Sequence, residues 1–207
     1  MPADAVGYAA GMPELDDPRL NERRNDMSRL GQVDLDTAPA LSRPMLEGVQ
    51  RKRGFLPQMY RALGNSPAAM SAYAAFGGAM AGSTLPVAVK EQVSIAVATS
   101  SDCRQCMEAH TRFGREAGLS DAELDAARRF ESGDPLAAAA LAFARAVKDR
   151  SGHVPDAAVD AARAAGIDDA RMVDIAALVA INLFTNYVNV AFNIPVDFPK
   201  TALKAPA

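Results

Sequence analysis

Residues 86–124 read PVAVKEQVSIAVATSSDCRQCMEAHTRFGREAGLSDAEL. Apolar residues recur here at helical spacing with almost no sustained period-2 alternation, which is the pattern of helices with one face in a core. Pro86 stands where a first turn tolerates a missing N–H, Gly118 where a helix end favours a left-handed residue, and Ser120 where the next helix needs a cap. The segment therefore reads as a helix over Pro86 to Thr99, a second over Asp102 to Ala117, and a third over Ser120 to Phe130.

The same punctuation continues in both directions. Upstream it predicts helices over Pro39 to Lys52, Pro57 to Leu63 and Pro67 to Ala81. Downstream it predicts Asp134 to Arg150, Pro155 to Ala165 and Asp168 to Phe192. Gly64, Gly82 and Gly166, like Gly118, fall just past helix ends, where left-handed backbone is expected. The expected fold is all-α, a bundle of eight to nine helices. Gly118 to Ala122 and Gly166 to Ala170 echo one another, either as two related helical halves or as the same common joint used twice.

Composition agrees. Of 207 residues, 49% are hydrophobic but only 6% aromatic, with no Trp, so Ala carries much of the apolar count and favours helix. A net charge of −3 gives no footprint for a nucleic-acid polyanion. Residues 1–25, with Pro2, Pro13, Pro18 and mixed charges, are expected to be a poorly ordered or subunit-embracing arm, and 26–207 a single helical domain. No basic start followed by an apolar run marks a secretory signal, so a cytoplasmic location is expected. The apolar stretch 175–198 is broken by asparagines, and its longest uninterrupted run, Ile175 to Ile181, is too short to span a bilayer.

The chemistry concentrates in Cys103, Cys106, His110 and Glu91. A bridge between Cys103 and Cys106, the only two cysteines, would close too short a loop to restrain an unfolded chain, so it would be no structural staple. On a helix Cys103, Cys106 and His110 fall within about 60° of one another, on one face. Thr99 to Asp102 form a capping cluster just before them, so both sulfurs sit in first turns, where exposed N–H groups and the helix dipole favour a thiolate. Glu91 would lie about 18 Å from Cys103 on one straight helix; it joins the site only if the chain turns at the capping cluster. Three readings are open at this point. The three residues pack as core; or Cys103, Cys106, His110 and Glu91 ligate zinc; or the two cysteines form a redox dithiol served by an adjacent base. Structural zinc commonly draws a second pair of ligands, and the only other histidine, His153, lies far along the chain.

The spacing Glu91, then eleven residues, then Cys103-x-x-Cys106-x-x-x-His110, followed by Gly118-Leu119-Ser120, resembles the alkylhydroperoxidase D and carboxymuconolactone decarboxylase superfamily. Phe55-Leu56-Pro57, Asn65-Ser66-Pro67, Leu85-Pro86, the run Leu183 to Asn189 and Asp197-Phe198-Pro199 are similar to its peroxidase-related members. The resemblance implies an all-helical, homo-oligomeric antioxidant peroxidase without flavin or haem. It implies that Cys106 attacks a hydroperoxide and Cys103 resolves the product to a disulfide. Glu91 and His110 would relay protons, and an external dithiol, lipoyl-bearing in one branch, would reduce the enzyme. The residue before the second cysteine is a histidine in that branch and Gln105 here, which cannot titrate. The alternatives are a non-catalytic metal-binding or redox-sensing protein, and a small-lactone decarboxylase of the same superfamily.

Three further features carry expectations. Asn182, Asn186, Asn189 and Asn193 form a helical stripe, read as a hydrogen-bonded interface in preference to a cavity lining. Met70, Tyr73, Phe76 and Met80 read as packing or as a pocket wall. Arg51-Lys52-Arg53 reads as a solvated group near a helix end.

Overall fold

Nine helices organise residues 28–197, the part of the chain that the computed structural model describes. They are α1 (Arg43–Arg53), α2 (Gln58–Leu63), α3 (Pro67–Met80), α4 (Val87–Ser100), α5 (Arg104–Glu116), α6 (Asp121–Ala127), α7 (Pro135–Asp149), α8 (Asp156–Ala164) and α9 (Asp169–Ala191). Among the described residues there is no strand, so the fold is all-α. The arm expected over 1–25 lies outside the described residues, as do Phe198 and Pro199.

Local chemistry sets the helix starts. Side chains of Ser66, Ser120, Asp134 and Asp168 accept the N–H three residues on, each cap contributing about 1 kcal/mol. Ser120 and Glu123 complete a reciprocal capping box. The first helix begins at Arg43 rather than Pro39: Pro44 has no N–H to give Ala40, so Pro39 to Ser42 form turns instead.

The glycine expectations divide. Gly118 (φ 91°) and Gly166 (φ 86°) are left-handed as read, but Gly64 is right-handed at φ −57° and Gly82 is not left-handed either. Gly64 is needed for space, since a Cβ there would come within 2.7 Å of Val33 Cγ2 and 2.9 Å of Leu46 Cδ1.

Two cores meet along α9. The larger joins α4, α7, α8 and α9 through Val93, Val97, Leu141, Ile167 and Ile175, with Ala137, Ala140 and Ala144 of α7 keeping the helices close. The smaller, Leu46, Leu63 and Met70, ties α1, α2 and α3 together. Helix α9 has 23 residues and an 18-residue window with a mean hydropathy of 1.4, so it is long and apolar enough to cross a membrane by length and composition, which the run-length argument did not anticipate. It packs instead against α2, α3, α4, α5 and α7 and buries Asn182, Asn186 and Asn189, as the central helix of a bundle does.

Candidate active site

The turn between α4 and α5 creates the site. Thr99 and Ser100 hydroxyls donate back to the carbonyls of Ile95 and Val97, so they belong to the end of α4 and do not cap α5 as expected. Asp102 takes a left-handed conformation (φ 49°), and the Cys103 N–H closes the turn on the Ala98 carbonyl at 3.0 Å. Cys103 itself is the N-cap of α5, its Sγ accepting from the Cys106 N–H at 3.3 Å. The two sulfurs are bonded to each other in a Cys103–Cys106 disulfide.

Because the chain reverses there, α5 lies alongside α4. His110 Nδ1 meets Glu91 Oε2 at 2.8 Å, with both side chains about four-fifths buried, at 21% and 18% exposure. One turn further on, Gly114 makes room for α6: a Cβ there would come within 2.6 Å of Leu124 Cδ2. Cys106 and His110 both line one pocket of about 80 Å³, whereas Cys103 sits behind Cys106 against Ala98 and does not. Among the described residues no group of three His, Cys, Asp or Glu side chains converges as metal ligands do.

Other walls of the pocket come from Tyr73, which the sequence offered as packing or as a pocket wall, and from residues that it did not single out for it. Tyr60 and Phe113 supply apolar surface, and the Arg53 guanidinium lies over both rings, 5.7 and 5.3 Å from their centroids. Arg53 is thus a pocket residue, not simply a solvated charge. Tyr73 also lines the pocket, its ring 5.7 Å from that of Tyr60; burial first, and then the neighbouring Tyr60 phenol, hold it neutral.

Gln105, buried before Cys106, has a structural job. Its Nε2 donates to Asp197 Oδ2, and its Oε1 accepts from the Asp197 N–H at 2.9 Å. The Gln58 N–H also donates to the Asp197 carboxylate, at 3.0 Å. Asp197 therefore fastens the segment after α9 to α2 and α5 at the pocket. Burial raises its pKa, against the pull of the Gln58 and Gln105 hydrogen bonds and of Arg61 and Arg53.

The asparagine stripe divides by role. Asn182 donates to Ser94 Oγ and the Leu178 carbonyl, and Asn186 to the Val97 carbonyl, which holds α9 to α4 as read. Asn193 lies beyond α9 in a left-handed conformation (φ 50°) that ends the helix. Asn189 departs from the interface reading: its Nδ2 donates to Cys106 Sγ at 3.2 Å, and it lines the pocket.

Residues 67–149, from α3 through α7, match the profile of the carboxymuconolactone decarboxylase family. A peroxidase-related protein from Ralstonia eutropha, described as having the alkylhydroperoxidase AhpD core, superposes with a TM-score of 0.74 at 26% identity, over 82% of this chain and 93% of that one. The chain is similar to the alkylhydroperoxidase D and carboxymuconolactone decarboxylase superfamily, its peroxidase-related members included. A peroxidase-related protein from Silicibacter shares the superfamily fold with a TM-score of 0.72 at 21% identity, over 92% of this chain and 96% of that one. The debrominase Bmp8, in complex with 2,3,4-tribromopyrrole, does so with a TM-score of 0.67 at 22% identity, over 83% and 94%. Comparison with proteins of curated function finds no significant match.

Proposed function

We propose that this protein is a dithiol peroxidase that reduces organic hydroperoxides. The observation that carries the reading is the division of labour between the sulfurs: Cys106 forms part of the pocket wall, while Cys103 is bonded to it from the buried side. In the reduced enzyme the Cys106 thiolate attacks the outer peroxide oxygen, the O–O bond breaks, and His110 protonates the departing alkoxide to an alcohol. Cys106 is left as a sulfenic acid. The Cys103 thiol then displaces water from it, and the disulfide forms. An external dithiol, of lipoyl type or otherwise, returns both sulfurs to thiols and completes the two-electron cycle. Glu91 orients His110 and balances its charge.

The apolar pocket walls favour an organic hydroperoxide over hydrogen peroxide, and turnover belongs in a reducing cytoplasm, where the dithiol is regenerated. Phe76 on α3, with Phe184, Tyr187 and Val190 on the adjoining α9, expose apolar surface that supports a homo-oligomer.

The test is consumption of cumene hydroperoxide by the pre-reduced protein, with dihydrolipoamide or dithiothreitol as reductant. Turnover is expected, and it collapses in Cys106→Ser and in His110→Ala. No consumption by the wild-type protein, or full activity in Cys106→Ser, overturns the reading.

A further inference from the structure

Among the described residues, Asn189 is the side-chain amide that donates to a cysteine sulfur. It sits on the central helix α9, is 5% exposed, and donates from Nδ2 to Cys106 Sγ across the joint between α9 and the first turn of α5. Its other end is costly: Oδ1 is buried without a hydrogen-bond partner. Asn186 Oδ1 is orphaned in the same way, so what sets Asn189 apart is the atom its amide reaches, the Cys106 sulfur on the pocket wall. Asn182, two turns earlier, has the ordinary structural arrangement, with its amide donating to two oxygens of the bundle.

We infer that Asn189 is a catalytic residue whose amide stabilises the Cys106 thiolate, and the sulfenate oxygen formed on it, by direct hydrogen bonding. The inference rests on the dithiol reading of Cys106. A disulfide sulfur is a weak acceptor, whereas a thiolate is a strong one, so the same contact gains strength when the bridge is reduced. Differential stabilisation of this kind lowers the barrier to thiolate chemistry rather than only supporting the fold.

The need for a donor follows from the charges around the sulfur. His110 comes from α5, with its Nδ1 committed to Glu91 of α4. Arg53 comes from α1 and is spread over two aromatic rings, Tyr60 and Tyr73 are phenols on α2 and α3, and Asp197 adds a carboxylate from the segment after α9. Two of these groups are carboxylates, which oppose a thiolate, and the Cys106 N–H already donates to Cys103. Asn189 supplies a neutral donor that works whichever protonation state His110 holds.

The experiment reads the thiol itself. In a Cys103→Ser background, which keeps an N-cap acceptor and leaves Cys106 as the one thiol, thiolate is followed by absorbance at 240 nm and by the pH dependence of iodoacetamide labelling. Asn189→Ala should leave about tenfold less thiolate at neutral pH, the loss expected for one hydrogen bond to a charged group. Asn189→Asp, nearly the same shape, should leave still less, because a carboxylate repels the thiolate. Asn186→Ala loosens α9 from α4 without moving the titration. If Asn189→Ala fails to fold, the Asp variant decides. Titration curves in the folded variants that coincide with the parent's overturn the inference. A titration that moves in a protein consuming no hydroperoxide leaves Asn189 as the thiolate's donor and removes the peroxidase reading alone.

Discussion

The carboxylate of Glu91 on α4 and the imidazole of His110 on α5 meet at 2.8 Å, nineteen residues apart in the chain. The contact commits Nδ1 of the ring to the carboxylate and leaves Nε2 to serve the pocket that His110 shares with Cys106. The orientation of the ring is thus set from the neighbouring helix.

Glu91→Gln keeps an acceptor for Nδ1 but removes the negative charge beside the ring. Steady-state kinetics with cumene hydroperoxide should show kcat/KM reduced by about 10- to 100-fold, with the fold intact by circular dichroism. Unchanged kcat/KM would separate the pair from the chemistry.

Asp197 gives a signed pH dependence. Burial raises its pKa in the folded protein above the ordinary 3.8, so the folded state binds this proton more tightly than the unfolded chain does. Its contribution to stability is fully present below 3.8 and is lost as pH rises through the raised value. Thermal melts from about pH 4 to 7 should therefore show wild type losing this share relative to Asp197→Asn, which does not titrate. Parallel curves for the two proteins would contradict the assignment.

Phe113 tests what the pocket selects. Its ring, stacked under Arg53 and 6.2 Å from His110, forms an apolar wall of the pocket that Cys106 lines. Phe113→Ala should raise KM for cumene hydroperoxide by about tenfold or more while leaving hydrogen peroxide turnover nearly unchanged. Equal losses for both peroxides would point to a displaced Cys106 instead.

Asp102 carries the turn that starts α5. At φ 49° it occupies backbone that β-branched residues rarely adopt, so Asp102→Val should lower stability by about 1–2 kcal/mol in urea unfolding. Asp102→Gly relieves the conformation and should match wild type within experimental scatter. A fully stable Val variant would show that the turn tolerates another path.

The helices were legible because their signals are local. Pro and Gly punctuation, side-chain caps and 3.6-residue periodicity marked all nine helices, displaced mainly where Pro44 withheld an N–H from the first turn of α1. The motif was legible for the same reason, since Cys103, Cys106 and His110 are neighbours on one helix face. The sequence could also state the condition for Glu91 to join them, a chain reversal after Thr99, but not whether it was met. That depended on a left-handed Asp102 and on the packing of α5 against α4 that follows the reversal.

The same limit explains the pocket. Arg53 read as a solvated charge and Asn189 as one of four equivalent amides, because their partners, Tyr60 and Phe113 for one and Cys106 for the other, come from different helices. Gln105 read as the absence of a histidine, whereas it grips Asp197, 92 residues away. The sequence by itself determined the all-α class and the dithiol with its histidine, since helix propensity, capping and i to i+4 geometry are short-range. The tertiary structure alone decided which sulfur faces the pocket, which carboxylate meets His110 and which amide touches Cys106. Each of those is a contact between distant segments, made only once the bundle closes around α9.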